Sequence, residues 1–113
     1  MTKFIFKIKL LGQEWKVRFL RRHLMSDENN GTCWHLKKTI DIADDLTEAE
    51  ARFVLMHELT HAIFGMCGRV FDEEFSEESI CETFAWHADE MIAVRDRVIR
   101  ERFCRKEVSN GES

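Results

Sequence analysis

Proline and tyrosine are absent from the 113-residue sequence, glycine occurs only five times, and there is no long apolar run. Without proline, no helix interior loses a backbone donor, so a helical pattern runs on until glycine or polar residues stop it. No apolar stretch approaches the roughly eighteen residues of a membrane-spanning helix. Lys7 and Lys9 interrupt the apolar residues after Met1, which argues against a signal-peptide core, and a cytoplasmic protein is expected. The four cysteines (Cys33, Cys67, Cys81 and Cys104) form no C-x-x-C unit. In a reducing compartment they stay unpaired, and they are expected as small buried apolar side chains.

What is present fits one globular domain. Hydrophobic residues make up 44% and charged residues 34% of the chain, which is too apolar for disorder. The length suffices for one core and not for two. A single domain over residues 1–107 is expected, followed by a polar tail over 108–113. The net charge of −4 hides a segregation. Lys3, Lys7, Lys9, Lys16, Arg18, Arg21 and Arg22 face a single acid, Glu14, within residues 1–25. Residues 70–94 carry Asp72, Glu73, Glu74, Glu77, Glu78, Glu82, Asp89 and Glu90 with no lysine or arginine. Such blocks read first as solvated faces, and the negative total argues against nucleic-acid binding as the main function.

The first half has the two-residue period of strands. Phe4, Phe6, Ile8 and Leu10 alternate with Lys7 and Lys9, and Trp15, Val17 and Phe19 alternate with charged residues. Ser26 to Gly31 is a loop by composition, and Thr32–Leu36 and Thr39–Ala43 read as a second hairpin. The second half has the helical period. Thr47-Glu48-Ala49-Glu50 is a capping box. After it, Ala51, Val54, Leu55, Leu59, Ala62 and Ile63 recur at helical spacing until Gly65 and Gly68. A loop from Arg69 to Ser76 leads to a long helix carrying Ile80, Phe84, Ala88, Met91, Ile92, Val98 and Ile99. Strands followed by helices predict an α+β fold: an antiparallel sheet of three or four strands packed on two helices. Thr39–Ala43, just before the first helix, is the expected edge strand beside a cleft.

Inside the first helix stands His57-Glu58-Leu59-Thr60-His61, an H-E-x-x-H sequence. Residues four apart on a helix differ by about 40° in azimuth, so both imidazoles leave one face and can share an ion. Imidazole nitrogen suits Zn²⁺, and Glu58 points about 100° away from His57, beside an ion and not onto it. That pattern supplies two ligands and a general base for a metal-activated water. A catalytic zinc needs a third protein ligand. Phe64 and Cys67 stand where a metzincin has Gly and His, and Cys67 reads as a packing residue. Glu77, Glu78 and Glu82 on the second helix are the candidates, and Glu78 and Glu82 share a face.

His57-Glu58-Leu59-Thr60-His61-Ala62, followed by Glu78-Ser79-Ile80-Cys81-Glu82-Thr83-Phe84-Ala85, resembles the ImmA/IrrE family of zinc metallopeptidases. That family has H-E-x-x-H-A and then an E-x-x-A-N-x-F-A helix whose Glu is the third ligand. Here Phe84-Ala85 matches, and Cys81-Glu82 replaces Ala-Asn. The short strand-rich start, with Leu11-Gly12-Gln13-Glu14-Trp15, resembles small phage-encoded members. The resemblance implies a minimal zincin with His57, His61 and Glu78 as zinc ligands and Glu58 as catalytic base. It also implies a protein substrate, such as a helix-turn-helix repressor, and the cytoplasm of a bacterial host. Metallopeptidases commonly stabilise the oxyanion with Tyr, His or Arg. With no tyrosine, His35, Arg69 and His87 are the remaining donors. Two other readings compete: a metal-bearing zincin scaffold that only docks a host or phage protein, and a nucleic-acid binder using the basic first hairpin.

Overall fold

A computed structural model of the chain describes residues 4–26, 29–68 and 77–104. The expected 69–76 loop, Arg69 and the 108–113 tail lie outside the described residues. The elements run β1 (Ile5–Leu10), β2 (Gln13–Leu20), a single 3-10 turn (Arg22–Leu24), β3 (Gly31–Trp34), β4 (Thr39–Ala43), α1 (Glu48–Met66) and α2 (Glu77–Phe103). Leu11 and Gly12 link β1 to β2 with φ of 52° and 77°, the left-handed pair of a tight hairpin. The Leu11 N–H donates to the Glu90 carboxylate at 2.9 Å, which ties this turn to α2.

The α+β class holds, but the sheet is mixed and not antiparallel. Its strand order is β1-β2-β4-β3, and β2 and β4 run parallel. The reason is connectivity. The chain passes from β2 to the far edge, lays down β3, and returns through a hairpin, so β4 runs antiparallel to β3 in the gap beside β2. Thr39–Ala43 is therefore an interior strand, every residue of it buried. The edge strands are β1 and β3, and β3 is the one beside α1.

One sheet face packs on the helices. Phe6, Ile8, Leu10, Trp15, Val17, Phe19, Ile40 and Ile42 point inward and form one cluster with the apolar stripe of α1 and with Met91, Val98 and Ile99 of α2. Phe4 was expected on that face. It is about half exposed, its ring covered by the Arg102 guanidinium at 5.0 Å. Phe84 and Ile92 are also less buried than their spacing implied. Phe84 reaches Phe64 of α1, ring centroids 5.6 Å apart. The expectation that the cysteines are buried fails for three of four: Cys67, Cys81 and Cys104 are exposed and Cys33 is half-buried, and none of the four is in a disulfide.

On the outer face, the buried Asp41 carboxylate accepts two hydrogen bonds from Arg18, at 2.8 and 3.0 Å, and one from the Trp34 indole N–H at 2.8 Å. A buried charge costs free energy unless paired and hydrogen-bonded, and these three bonds meet that condition. The α1 start is the expected capping box: Thr47 Oγ1 accepts from the Glu50 N–H at 3.1 Å, and the Glu50 carboxylate accepts from the Thr47 N–H at 2.9 Å. Replacing Thr47 with Ala is expected to lower unfolding free energy by about 1 kcal/mol, read as a lower urea midpoint at unchanged m-value. An unchanged midpoint would show that the cap contributes nothing.

Candidate active site

The buried stripe of α1 fixes which of its residues remain for chemistry. Ala51, Val54, Leu55, Leu59, Ala62 and Ile63 face the core, so Phe53, His57 and His61, each four apart, share the neighbouring solvent-side stripe. The His57 and His61 rings stand edge to face, centroids 4.9 Å apart, and the Phe53 ring lies 6.4 Å from His57. All three line a cavity of about 480 Å³ together with Val54 and Glu58. The opposite wall is β3 and its approach: Asn29, Asn30, Gly31, Cys33 and His35.

Glu58 is the most enclosed polar group there, with 6% of its surface exposed. Burial raises its carboxyl pKa, and the neighbouring His57 opposes that rise. Its enclosure comes from Gly31. A Cβ at that position would stand 2.6 Å from Val54 Cγ1 and 3.0 Å from Glu58 Oε2, so the β3 backbone itself covers the carboxylate. Burial lowers the pKa of His61, and repulsion from His57 and His35 lowers it further. Both effects favour neutral imidazole, the form that binds metals.

The sequence candidates divide into two groups. His57, Glu58, His61 and His35 meet at this cavity. His35 was expected within a strand and sits instead in the turn after β3. Its ring occupies the space over Gly65, where a Cβ would come within 2.6 Å of two ring atoms, and it stands edge-on to Trp15 at 6.5 Å. Glu77, Glu78 and Glu82 do not line the cavity; they are exposed on the first turns of α2. His87 is also elsewhere, its Nε2 3.7 Å from the Sγ of Cys67.

Among the described residues, no three His, Cys, Asp or Glu side chains are grouped closely enough to hold a metal ion. The donor chemistry of His57 and His61 still fits a divalent transition metal: two imidazoles on one face, one of them held toward its neutral form, with a carboxylate beside them. It is two-thirds of a zinc ligand set. Sequence reasoning missed Phe53, Gly31 and Cys33. Phe53 was legible, because it precedes His57 by one turn on the histidine stripe. Gly31 and Cys33 join the site only through tertiary pairing.

Replacing Gly31 with Ala is expected to cost about 1–3 kcal/mol, because Val54 is stiff at χ1 and overpacking has no cheap outlet. Chemical denaturation measures it, and unchanged stability would mean that β3 can withdraw from α1. Burial and the nearby Glu58 charge push the Cys33 thiol up to about 12. A raised thiol pKa means less thiolate at any given pH. At mildly alkaline pH, Cys33 should therefore react with iodoacetamide at least about a hundredfold more slowly than Cys67, Cys81 and Cys104. Peptide mapping after timed alkylation would show it, and equal rates would contradict the enclosure of the β3–α1 wall. Compared with protein-family models, with curated proteins and with solved structures, the chain matches none.

Proposed function

We propose that this chain is a zinc-dependent metallopeptidase of the ImmA/IrrE type, hydrolysing a peptide bond in a protein substrate. One observation carries the reading: the H-E-x-x-H histidines open onto the same cavity in which Glu58 is enclosed by an edge strand. His57 and His61 would hold the ion, with Glu78 as the third ligand that the resemblance implies. When bound, zinc supplies Lewis acidity, lowering the pKa of a water and polarising the scissile carbonyl.

The chain's own groups do the rest. A Glu58 carboxylate oxygen takes a proton from the attacking water as the new carbon–oxygen bond forms. The same oxygen then gives that proton to the departing amine nitrogen as the carbon–nitrogen bond breaks. A carboxyl raised by burial is suited to both transfers, since its proton affinity is closer to neutrality. β3 offers an unpaired strand edge on which an extended peptide can hydrogen-bond through its main chain. Phe53, 73% exposed at the cavity wall, offers an apolar contact to a substrate side chain. His35 at the rim is a donor available to a developing oxyanion in a chain without tyrosine. A helix-turn-helix repressor is the substrate class that the resemblance suggests.

The docking reading has one observation in its favour: Glu78 stands outside the cavity, so the ligand set there is incomplete. Elemental mass spectrometry separates the alternatives when paired with a cleavage assay. The untagged protein is expected to hold about one zinc per chain, lost on replacing His57, His61 or Glu78 with Ala. Glu58→Gln is expected to keep the zinc and lose at least about a hundredfold in hydrolysis. Zinc retained with partner binding intact, but no hydrolysis by the parent, would favour docking. No zinc in the parent would remove the peptidase reading.

A further inference from the structure

The outer face of the sheet carries a second feature, independent of the cavity. Strand register aligns Lys7 directly opposite Lys16, Lys16 beside Thr39, and Thr39 opposite Trp34. One row thus crosses all four strands with no acid in it. At its far end the Lys37 ammonium lies 5.2 Å over the Trp34 ring. On the adjacent rows each basic side chain has an acidic neighbour: Lys9 faces Glu14, and Arg18 is held by Asp41. Lys7 and Lys16 have no acid opposite them in the register. They are exposed, and, like Lys9, neither has a carboxylate within ion-pair distance among the described residues.

Like charges directly opposite each other on antiparallel strands destabilise the pair. A glutamate at either position would turn that repulsion into attraction. The net charge of −4 does not offset the row, because the acids of residues 77–90 lie on α2. That helix packs on α1 and the β1 edge. A ligand approaching the outer face meets Lys7, Lys9 and Lys16, with Glu14 as the exposed acid beside them.

The aromatic member of the row is fixed in place. The Trp34 indole N–H is committed to Asp41, which Arg18 holds in turn, so the ring plane is set before any ligand arrives. Strands lie about 4.8 Å apart, so the row is a shallow strip roughly 15 Å long. A flat four-stranded face does not enter a duplex groove, which admits a helix or a two-stranded ribbon. Cations beside an aromatic ring on an open sheet suit a single strand, whose phosphates meet the lysines while a base takes the place of Lys37 on the Trp34 ring.

We propose that the Lys7–Lys16–Trp34 row binds single-stranded nucleic acid across the outer sheet face. The test is fluorescence anisotropy of the full chain with a labelled mixed-sequence DNA strand of about 20 nucleotides, titrated at about 50–200 mM salt. The parent is expected to bind, more weakly as salt rises. Lys7→Glu is expected to lose about tenfold or more in affinity and to flatten the salt dependence. Its Tm should meanwhile rise by roughly 1–6 °C, because a like-charge pair becomes an opposite-charge one. Lys7→Glu combined with Lys16→Glu should return Tm toward the parent value and abolish binding. Absence of binding by the parent overturns the proposal, as does a Lys7→Glu variant that gains Tm without losing affinity. Equal affinity for a duplex or for heparin would also overturn it, leaving a general polyanion surface.

Discussion

The candidate site depends on one close approach, that of the β3 backbone at Gly31 to Val54 and Glu58 of α1. No methyl group fits between them. Helix α1 must bury its apolar stripe on the sheet, and the strand it meets at its rim is short and at the edge. With a glycine at that contact, the strand comes near enough to wall off Glu58 while His57 and His61, rotated further round the helix, stay open to the cavity. The enclosed carboxylate and the accessible imidazoles are two results of one helix orientation. The raised pKa values of Glu58 and Cys33 follow from it, since burial in that wall is the first cause of each.

Local patterns in the sequence predicted local structure well. The capping box at Thr47, the histidine pair and the alternation of Phe6, Ile8 and Leu10 each depend on residues a few positions apart, and each stands as expected. What failed depended on partners distant in sequence. Periodicity says that Thr39–Ala43 is a strand but not which neighbours it takes, so the parallel β2–β4 pairing and the edge position of β3 were not legible. Exposure of the cysteines had the same origin. Cys67 caps a helix end and Cys81 lies on the outer side of α2, positions set by how the helices dock. For the site, His57, Glu58 and His61 were readable because one helix carries them all. His35 was readable only as a residue type, since its place at the rim comes from the turn after β3 packing over Gly65.

The basic first hairpin and the acids of residues 77–90 lie on different surfaces. The basic first hairpin supplies the outer sheet face, and the acidic segment begins the helix that closes the opposite side. Long-range attraction between such blocks would favour burying one against the other, yet the contacts between α2 and β1 are few and specific. Arg97 donates to the Lys7 carbonyl at 2.7 Å, and Glu90 accepts from Leu11. Neither contact neutralises a lysine side chain. Both of these polar contacts use the hairpin's backbone, which leaves its ammonium groups outward.

The β3–β4 hairpin joins these surfaces. In β3, Gly31 and Cys33 face α1 and the cavity, while Thr32 and Trp34 face outward, as the two-residue period of a strand requires. A slip of one residue would exchange those sets, turning the Trp34 indole toward α1 and Gly31 to the outer face. What resists that slip is the cluster on Asp41. Its carboxylate is shared by Arg18 of β2 and Trp34 of β3, so three strands are locked in register by one buried charge. A slipped register would strand that charge without partners, a cost well above that of an ordinary exposed ion pair. The ion pair on one side of the sheet thereby holds the geometry of the cavity on the other.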